Sequence, residues 1–313
     1  MGTSLTLPVP ETLEATYAVA LAAPPPDPRE LARERVARWI EAPLRDLVLG
    51  MLDSPLLTLD LRPAAEFPPL PADLLVAYGA TRRDLAGIAA ASHLLAVRAA
   101  YRPGWPPAHE WVTRAIAGAI GLEAADKGRA VPVIDVFTPQ VLAADRIRDS
   151  LPGPDGTVRL TDWILLPHTP VSASDAAHAS DASDEEWFWF TTKGLARFGL
   201  PELQTEHVPS RLVEPWGRLL NGLASRLLGL WLDEIPAGEQ PVFVELPEIV
   251  SVGLRDVAAA QGAEEPAGRE VRVRLRMDAD GTGRPLLTVL PADGGPDGLE
   301  ALCTALFGTS RPA

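Results

Sequence analysis

The stretch "EPWGRLLNGLASRLLGLWLDE", Glu214 to Glu234, constrains the fold more than any other. Trp216, Leu219, Leu220, Leu223, Leu227, Leu230 and Trp231 recur at three- and four-residue spacing, and Pro215 suits a first helical turn. Such a stripe is stable only against another apolar layer, so the chain must supply a wide surface to receive it. The runs around it have the period of strands. In "EVRVRLRM" Val271, Val273 and Leu275 alternate with arginines, and "DADGTG" separates them from "RPLLTVLP", the pattern of a hairpin.

Towards the N-terminus, strands are expected at Thr16 to Ala22, Pro55 to Leu61, Ala72 to Ala80 and Ser92 to Tyr101, with a further strand in "AVPVIDVFTPQVL". Helices are expected from Pro28, with Asp27 as N-cap and Glu30 completing a capping-box-like pattern; over "LRDLVLGML"; from Thr81 to Ala90; and from Pro107 to a C-cap at Gly128. Ala115, Gly118 and Gly121 leave room for close approach to that last helix. The order β, α, β, β, α, β with one extra segment points to an α+β chain with a split-βαβ, ferredoxin-like sheet and covering helices, a mixed doubly wound α/β sheet being the alternative.

Residues 12–234 read as the main domain and 235–313 as a smaller C-terminal unit of hairpin and helix. A strand is expected at Val158 to Leu166. Residues 167–186, "PHTPVSASDAAHASDASDEE", hold five acidic groups and one large aliphatic, Val171, and read as a flexible insertion. The insertion feeds "WFWF", where Trp187 and Trp189 face one side and Phe188 and Phe190 the other, so an interior strand covered on both faces is expected.

A net charge of −14 opposes binding to a phosphate backbone, and nucleic acid is not expected as a partner. The 313 residues contain no apolar run long enough to span a bilayer and no basic region before the first apolar run, so neither membrane insertion nor a secretory signal is expected. One cysteine, Cys303, makes a disulfide framework impossible and places the chain in the cytoplasm by expectation.

Catalytic and cofactor motifs are incomplete. "GLARFG", Gly194 to Gly199, has phosphate-loop glycine spacing, but Leu200 and Pro201 stand where lysine and serine or threonine are required. It reads instead as a short helical turn with Thr192 as N-cap and Gly199 as C-cap, projecting Lys193 and Arg197 to one side, where with Glu202 they form a candidate anion or partner contact. "HEW" at His109 lacks the second histidine of a zinc helix, and "DADGTG" lacks the glutamate that closes a calcium loop. No metal or cofactor is expected. His93 at the head of a strand and Asp135 at the end of another form a candidate polar pocket.

Three stretches, "ASHLLAVRAAYRPGWPPAHEWVTRAIAGAIGLEAADKGRAVPVIDVFTPQVL", "WFWFTTKGLARFGLPELQ" and the leucine-rich helix, together resemble a bacterial family built on a domain of unknown function. The shared features are a histidine-headed strand, a small-residue helix, a strand ending in an acid, and a glycine-leucine-x-x-phenylalanine-glycine-x-proline-glutamate element. The likeness spans roughly Tyr17 to Leu230 and implies one continuous N-terminal unit but no activity. The expectation is a cytoplasmic, non-enzymatic binding or adaptor protein acting through protein contacts. The alternatives are a hydrolytic enzyme using His93, Asp135, Lys193 and Glu202, or a structural subunit of a larger assembly.

Overall fold

The computed structural model describes residues 3–103, 108–126, 131–152, 159–171, 186–235, 241–265, 268–293 and 298–308. The fold is α+β, with three sheets among these residues. It divides into two units: an outer one of Met1–Pro10 with Arg159–Ala313, and an inserted one of Glu11–Val158. Strand β1 (Ser4–Pro8) belongs to the outer unit, so the chain starts one unit, builds the other, and returns.

The inserted unit holds β2 (Leu13–Leu21), α1 (Pro28–Trp39), α2 (Leu44–Met51), β3 (Leu57–Pro63), α3 (Ala72–Ala77), α4 (Arg82–Ala89), β4 (His93–Tyr101), α5 (Ala108–Asp126), β5 (Val133–Asp135), β6 (Gln140–Leu142) and α6 (Ala144–Ser150). Its sheet runs β3-β4-β2-β5-β6 and every neighbouring pair is antiparallel. Central β2 is buried without a break from Tyr17 to Leu21, because helices lie on both of its faces. Tyr17 meets α5 on one side, and Ala18 packs with Leu75, Leu85 and Ile88 of α3 and α4 on the other. Helix α5 is buried all round from Trp111 to Gly121, and its small residues permit this. A Cβ on Gly118 would collide with Ile147 of α6, and one on Gly121 would come within 2.6 Å of Val133.

Local signals placed several ends correctly. Asp27 Oδ1 accepts from the N–H groups of Arg29 and Glu30 at 2.8 and 3.2 Å, although the Glu30 carboxylate turns towards Arg33 instead of closing a box. A complete capping box forms at the start of α4, between Thr81 and Asp84. Two strand expectations change here. Ala72–Ala77 is one and a half helical turns, since only Leu75 among its residues reaches the core. The single strand expected in "AVPVIDVFTPQVL" is the hairpin β5–β6, folded back because Asp135 Oδ1 accepts from the N–H groups of Phe137 and Thr138. The C-cap expected at Gly128 lies outside the described residues, as does Pro107.

The outer unit contains β7 (His168–Pro170), β8 (Trp187–Thr191), β9 (Glu202–Pro209), α7 (Val213–Asp233), β10 (Phe243–Pro247), β11 (Ile249–Gly253), α8 (Leu254–Ala260), β12 (Glu270–Ala279), β13 (Pro285–Pro291) and α9 (Gly298–Phe307). Six strands form a sheet in the order β11-β12-β13-β9-β8-β7, and β1 pairs with β10 in a two-stranded ribbon. All pairs are antiparallel except β13 with β9. That one parallel pair corrects the boundary expected near residue 235, because a strand of the supposed C-terminal unit continues the sheet of the supposed main domain. The stripe of α7 is buried as expected at Trp216, Leu219, Leu220, Leu223, Leu227 and Trp231, and at Gly222 an added Cβ would stand 3.0 Å from Val257 N in α8.

The strand expected at Val158 to Leu166 is instead a 3-10 turn, Leu160–Asp162, followed by a lone bridge from Leu165 to Lys193. Within the expected flexible insertion, His168–Pro170 forms the edge strand β7, while residues 172–185 lie outside the described residues. Among the described residues no helix is long and apolar enough to cross a membrane.

Candidate functional site

His93 and Asp135 do not meet. His93 pairs with Leu21 and Asp135 with Tyr17, on strands flanking β2, so they are four residues, roughly 13 Å, out of step along the sheet. His93 Nδ1 lies 2.9 Å from Ser92 Oγ. Asp135 belongs to a buried polar network under α5. Tyr17 donates its hydroxyl to Glu110 Oε2 at 2.8 Å and accepts from Arg114 Nε at 3.1 Å. Arg114 also donates to Ser150 Oγ at 3.1 Å and lies 3.6 Å from Asp135 Oδ2. Glu110, Arg114, Asp135 and Ser150 are all buried, so this network ties α5 and α6 to the sheet beneath. Its sequence signal was Glu110 and Arg114, four apart and leading a stretch, Trp111 to Leu122, that is otherwise apolar or small.

Lys193, Arg197 and Glu202 are neighbours in sequence with separate roles. Gly194, not Thr192, is the N-cap of a 3-10 turn, Leu195–Phe198; Gly194 has φ 118° and the C-cap Gly199 has φ 88°. Such values are freely available only to glycine, which accounts for both ends of the element. The Glu202 carboxylate accepts from Thr192 Oγ1 at 2.7 Å and from the N–H groups of Gly194, Leu195 and Ala196 at 2.8, 3.2 and 3.3 Å. Thr192 Oγ1 in turn accepts from Leu203 N at 2.7 Å. The donors that could have held an external anion are thus filled by the chain's own carboxylate. Lys193 is exposed and Arg197 only 1 % accessible, so they do not share a side; the turn has the tighter 3-10 geometry and begins after Lys193.

The remaining surface of interest is the six-stranded sheet itself. Helix α7 covers one face: a Cβ on Gly217 would meet Leu166 and Phe190. That face buries Val271, Val273 and Leu275 of β12, Leu287 and Val289 of β13, Leu203 and Thr205 of β9, and Phe190 of β8. The opposite face carries exposed Ser251, Arg272, Arg276, Glu206 and Trp189. The expected strand covered on both sides is therefore covered on one: Phe190 is 1 % accessible and Trp189 37 %.

On this open face Arg274 pairs with Glu248 at 2.7 Å, and the Arg276 guanidinium grips Asp278 with Nε and Nη2 at 2.9 and 2.8 Å from one oxygen. The hydrogen bond from Arg276, then that from Thr288, holds the Asp278 carboxyl below its usual range. Opposite Trp189, strand β9 is bulged. Phe188 pairs with Val208 and Phe190 with Thr205, so both Glu206 and His207 stand across from Trp189. Alternation fails there: Glu206 and His207 are both exposed and Val208 and Pro209 both buried. His207, at φ 55°, is the one non-glycine with positive φ among the described residues.

An exposed tryptophan among charged and polar side chains on a sheet suits recognition of another molecule. Among the described residues no group of three or more histidine, cysteine or acidic side chains is placed to hold a metal ion. Comparisons with protein-family models, with curated proteins and with solved structures return no match.

Proposed function

We propose that this chain is a non-enzymatic cytoplasmic binding or adaptor protein working through protein–protein contacts, and that the open face of the outer sheet is its contact surface. The observation that carries the reading is the asymmetry of that sheet. Its helices cover the Phe190 side, while the other side presents Trp189, Arg272, Arg276 and Glu206 to solvent. Aromatic and arginine side chains are the ones enriched at the energetic centres of protein interfaces. The candidate hydrolytic residues lend no second reading, since Asp135 and Glu202 are each enclosed by hydrogen bonds to their own unit.

Two finer readings accompany this proposal. In the inserted unit, β4 lies between β2 and β3, and β2 lies between β4 and β5, an interleaving that supports a split-βαβ, ferredoxin-like core extended by β6. The likeness to the bacterial family with the glycine-leucine-x-x-phenylalanine-glycine-x-proline-glutamate element is supported by the distinct structural task each of Gly194, Gly199 and Glu202 performs.

The test is affinity purification from the source cells with three baits: the wild type, a Trp189→Ala/Arg272→Glu variant of the open face, and Glu41→Gln in the inserted unit. A stoichiometric protein retained by the first and third and lost by the second is expected. If no protein is recovered, or one is held equally by all three, the reading fails.

A further inference from the structure

We infer that the β9 bulge is a receptor for a cationic side chain, so that the partner presents a lysine or arginine to Trp189 and Glu206; this rests on the reading of the open sheet face as a contact surface. Trp189 offers an indole ring, 37 % accessible, in a sheet whose other aromatic face is buried. Glu206 and His207 stand across the strand pair from it, in the bulge between the Phe188–Val208 and Phe190–Thr205 pairs. A ring face next to a carboxylate is the arrangement that attracts an ammonium or guanidinium group, one through its quadrupole and the other through its charge.

Glu206 acts on Arg276 of its own unit through its charge, without forming an ion pair with it. Its Oε1 accepts from Gln204 Nε2 at 3.1 Å, a neutral bond that orients the carboxylate. Among the described residues Glu206 makes no ion pair, the nearby Arg276 being committed to Asp278. The backbone adds an independent pointer. Regular alternation would turn His207 inward; instead the chain adopts φ 55° there, which keeps two consecutive side chains outward. For a non-glycine residue that conformation is strained, and such outliers cluster at functional sites. The net charge of −14 favours approach of a basic partner over an acidic one.

The test is fluorescence anisotropy with a labelled arginine–glycine–serine peptide, a charge-reversed glutamate–glycine–serine peptide and a single-stranded oligonucleotide. Proteins compared are the wild type, Trp189→Ala, Trp189→Phe, Glu206→Gln and the charge-matched Glu41→Gln, each checked for an unchanged circular dichroism spectrum. The basic peptide should bind, weakened about 5-fold by Trp189→Ala and by Glu206→Gln, with Trp189→Phe recovering part of the loss and Glu41→Gln without effect. Equal weakening by Glu206→Gln and Glu41→Gln would reduce the binding to the overall negative field and overturn the inference. So would an unchanged Trp189→Ala, or tighter binding of the acidic peptide or the oligonucleotide. If the basic peptide fails while the purification partner is still lost with the Trp189→Ala/Arg272→Glu bait, the cation receptor is wrong and the contact surface stands.

Discussion

Replacing Glu202 by alanine separates a structural carboxylate from a functional one. In the native turn its two oxygens receive four hydrogen bonds, two short ones of 2.7 and 2.8 Å from Thr192 and Gly194 and two longer ones from Leu195 and Ala196. Hydrogen bonds to a charged group contribute about 1.5–3 kcal/mol each, but four on one half-buried carboxylate are far from additive and water replaces part of them. Counting the two short bonds at the low end of that range puts the loss for Glu202→Ala at about 3 kcal/mol. Glutamine keeps the shape and one acceptor oxygen but loses the charge, so Glu202→Gln should cost about 1–2 kcal/mol, the size of a lost helix cap. The turn opened by either change carries Leu195 and Phe198 into the core, and Gly199 at its end would place an added Cβ 3.1 Å from Trp231. Loosening should therefore be visible in tryptophan emission. Urea unfolding followed by that emission gives the energies, and amide hydrogen exchange should show protection at Gly194, Leu195 and Ala196 lost in both variants. A shift below about 0.5 kcal/mol for Glu202→Ala would place it among ordinary surface substitutions and refute the capping argument.

The buried network gives a second test: Asp135→Ala leaves Arg114 buried beside a lost charge and should destabilise the inserted unit by about 3–5 kcal/mol, whereas a paired Arg114→Met/Asp135→Leu variant should recover much of the loss in thermal unfolding. His207→Gly should raise stability by about 1 kcal/mol in urea unfolding, since glycine relieves the positive-φ backbone; a loss of stability would show that the His207 side chain holds the bulge together. Burial, with a smaller contribution from Glu300, pushes the Cys303 thiol up to about 12 from an ordinary 9.0. The folded chain then keeps a proton that the unfolded chain releases between those values, so stability falls as pH rises through that window. Cys303→Ala should flatten this part of the stability profile, and a thiol reagent at pH 8 should label Cys303 only after unfolding.

How much of this was legible varied with how local the determining contact is. Asp27 before Pro28 and the alternation of Val271, Val273 and Leu275 each act within a few residues, and each placed its element correctly. Ala72–Ala77 was misread because a short apolar run has no period of its own, and contact with Ala18 and Ile134 made it helical. The candidate site residues were visible as polar groups in suggestive positions. Their partners were not: Glu202 reaches back eight residues to Gly194, and Asp135 finds Arg114 on another element.

By itself the sequence determined the α+β class, the amphipathic helix α7, the hairpin β12–β13 and the net acidity, because periodicity, capping and charge are carried by neighbouring residues. Only the tertiary structure decided that β13 lies beside β9, that residues 11–158 fold as a unit separate from the segments before and after them, and that the Trp189 face of β8 stays open. The physical reason is common to all three. Hydrophobic alternation specifies that a strand has a face to bury, but the strand beside it and the helix above it come from residues distant in the chain, and only their meeting in space decides which face remains in water.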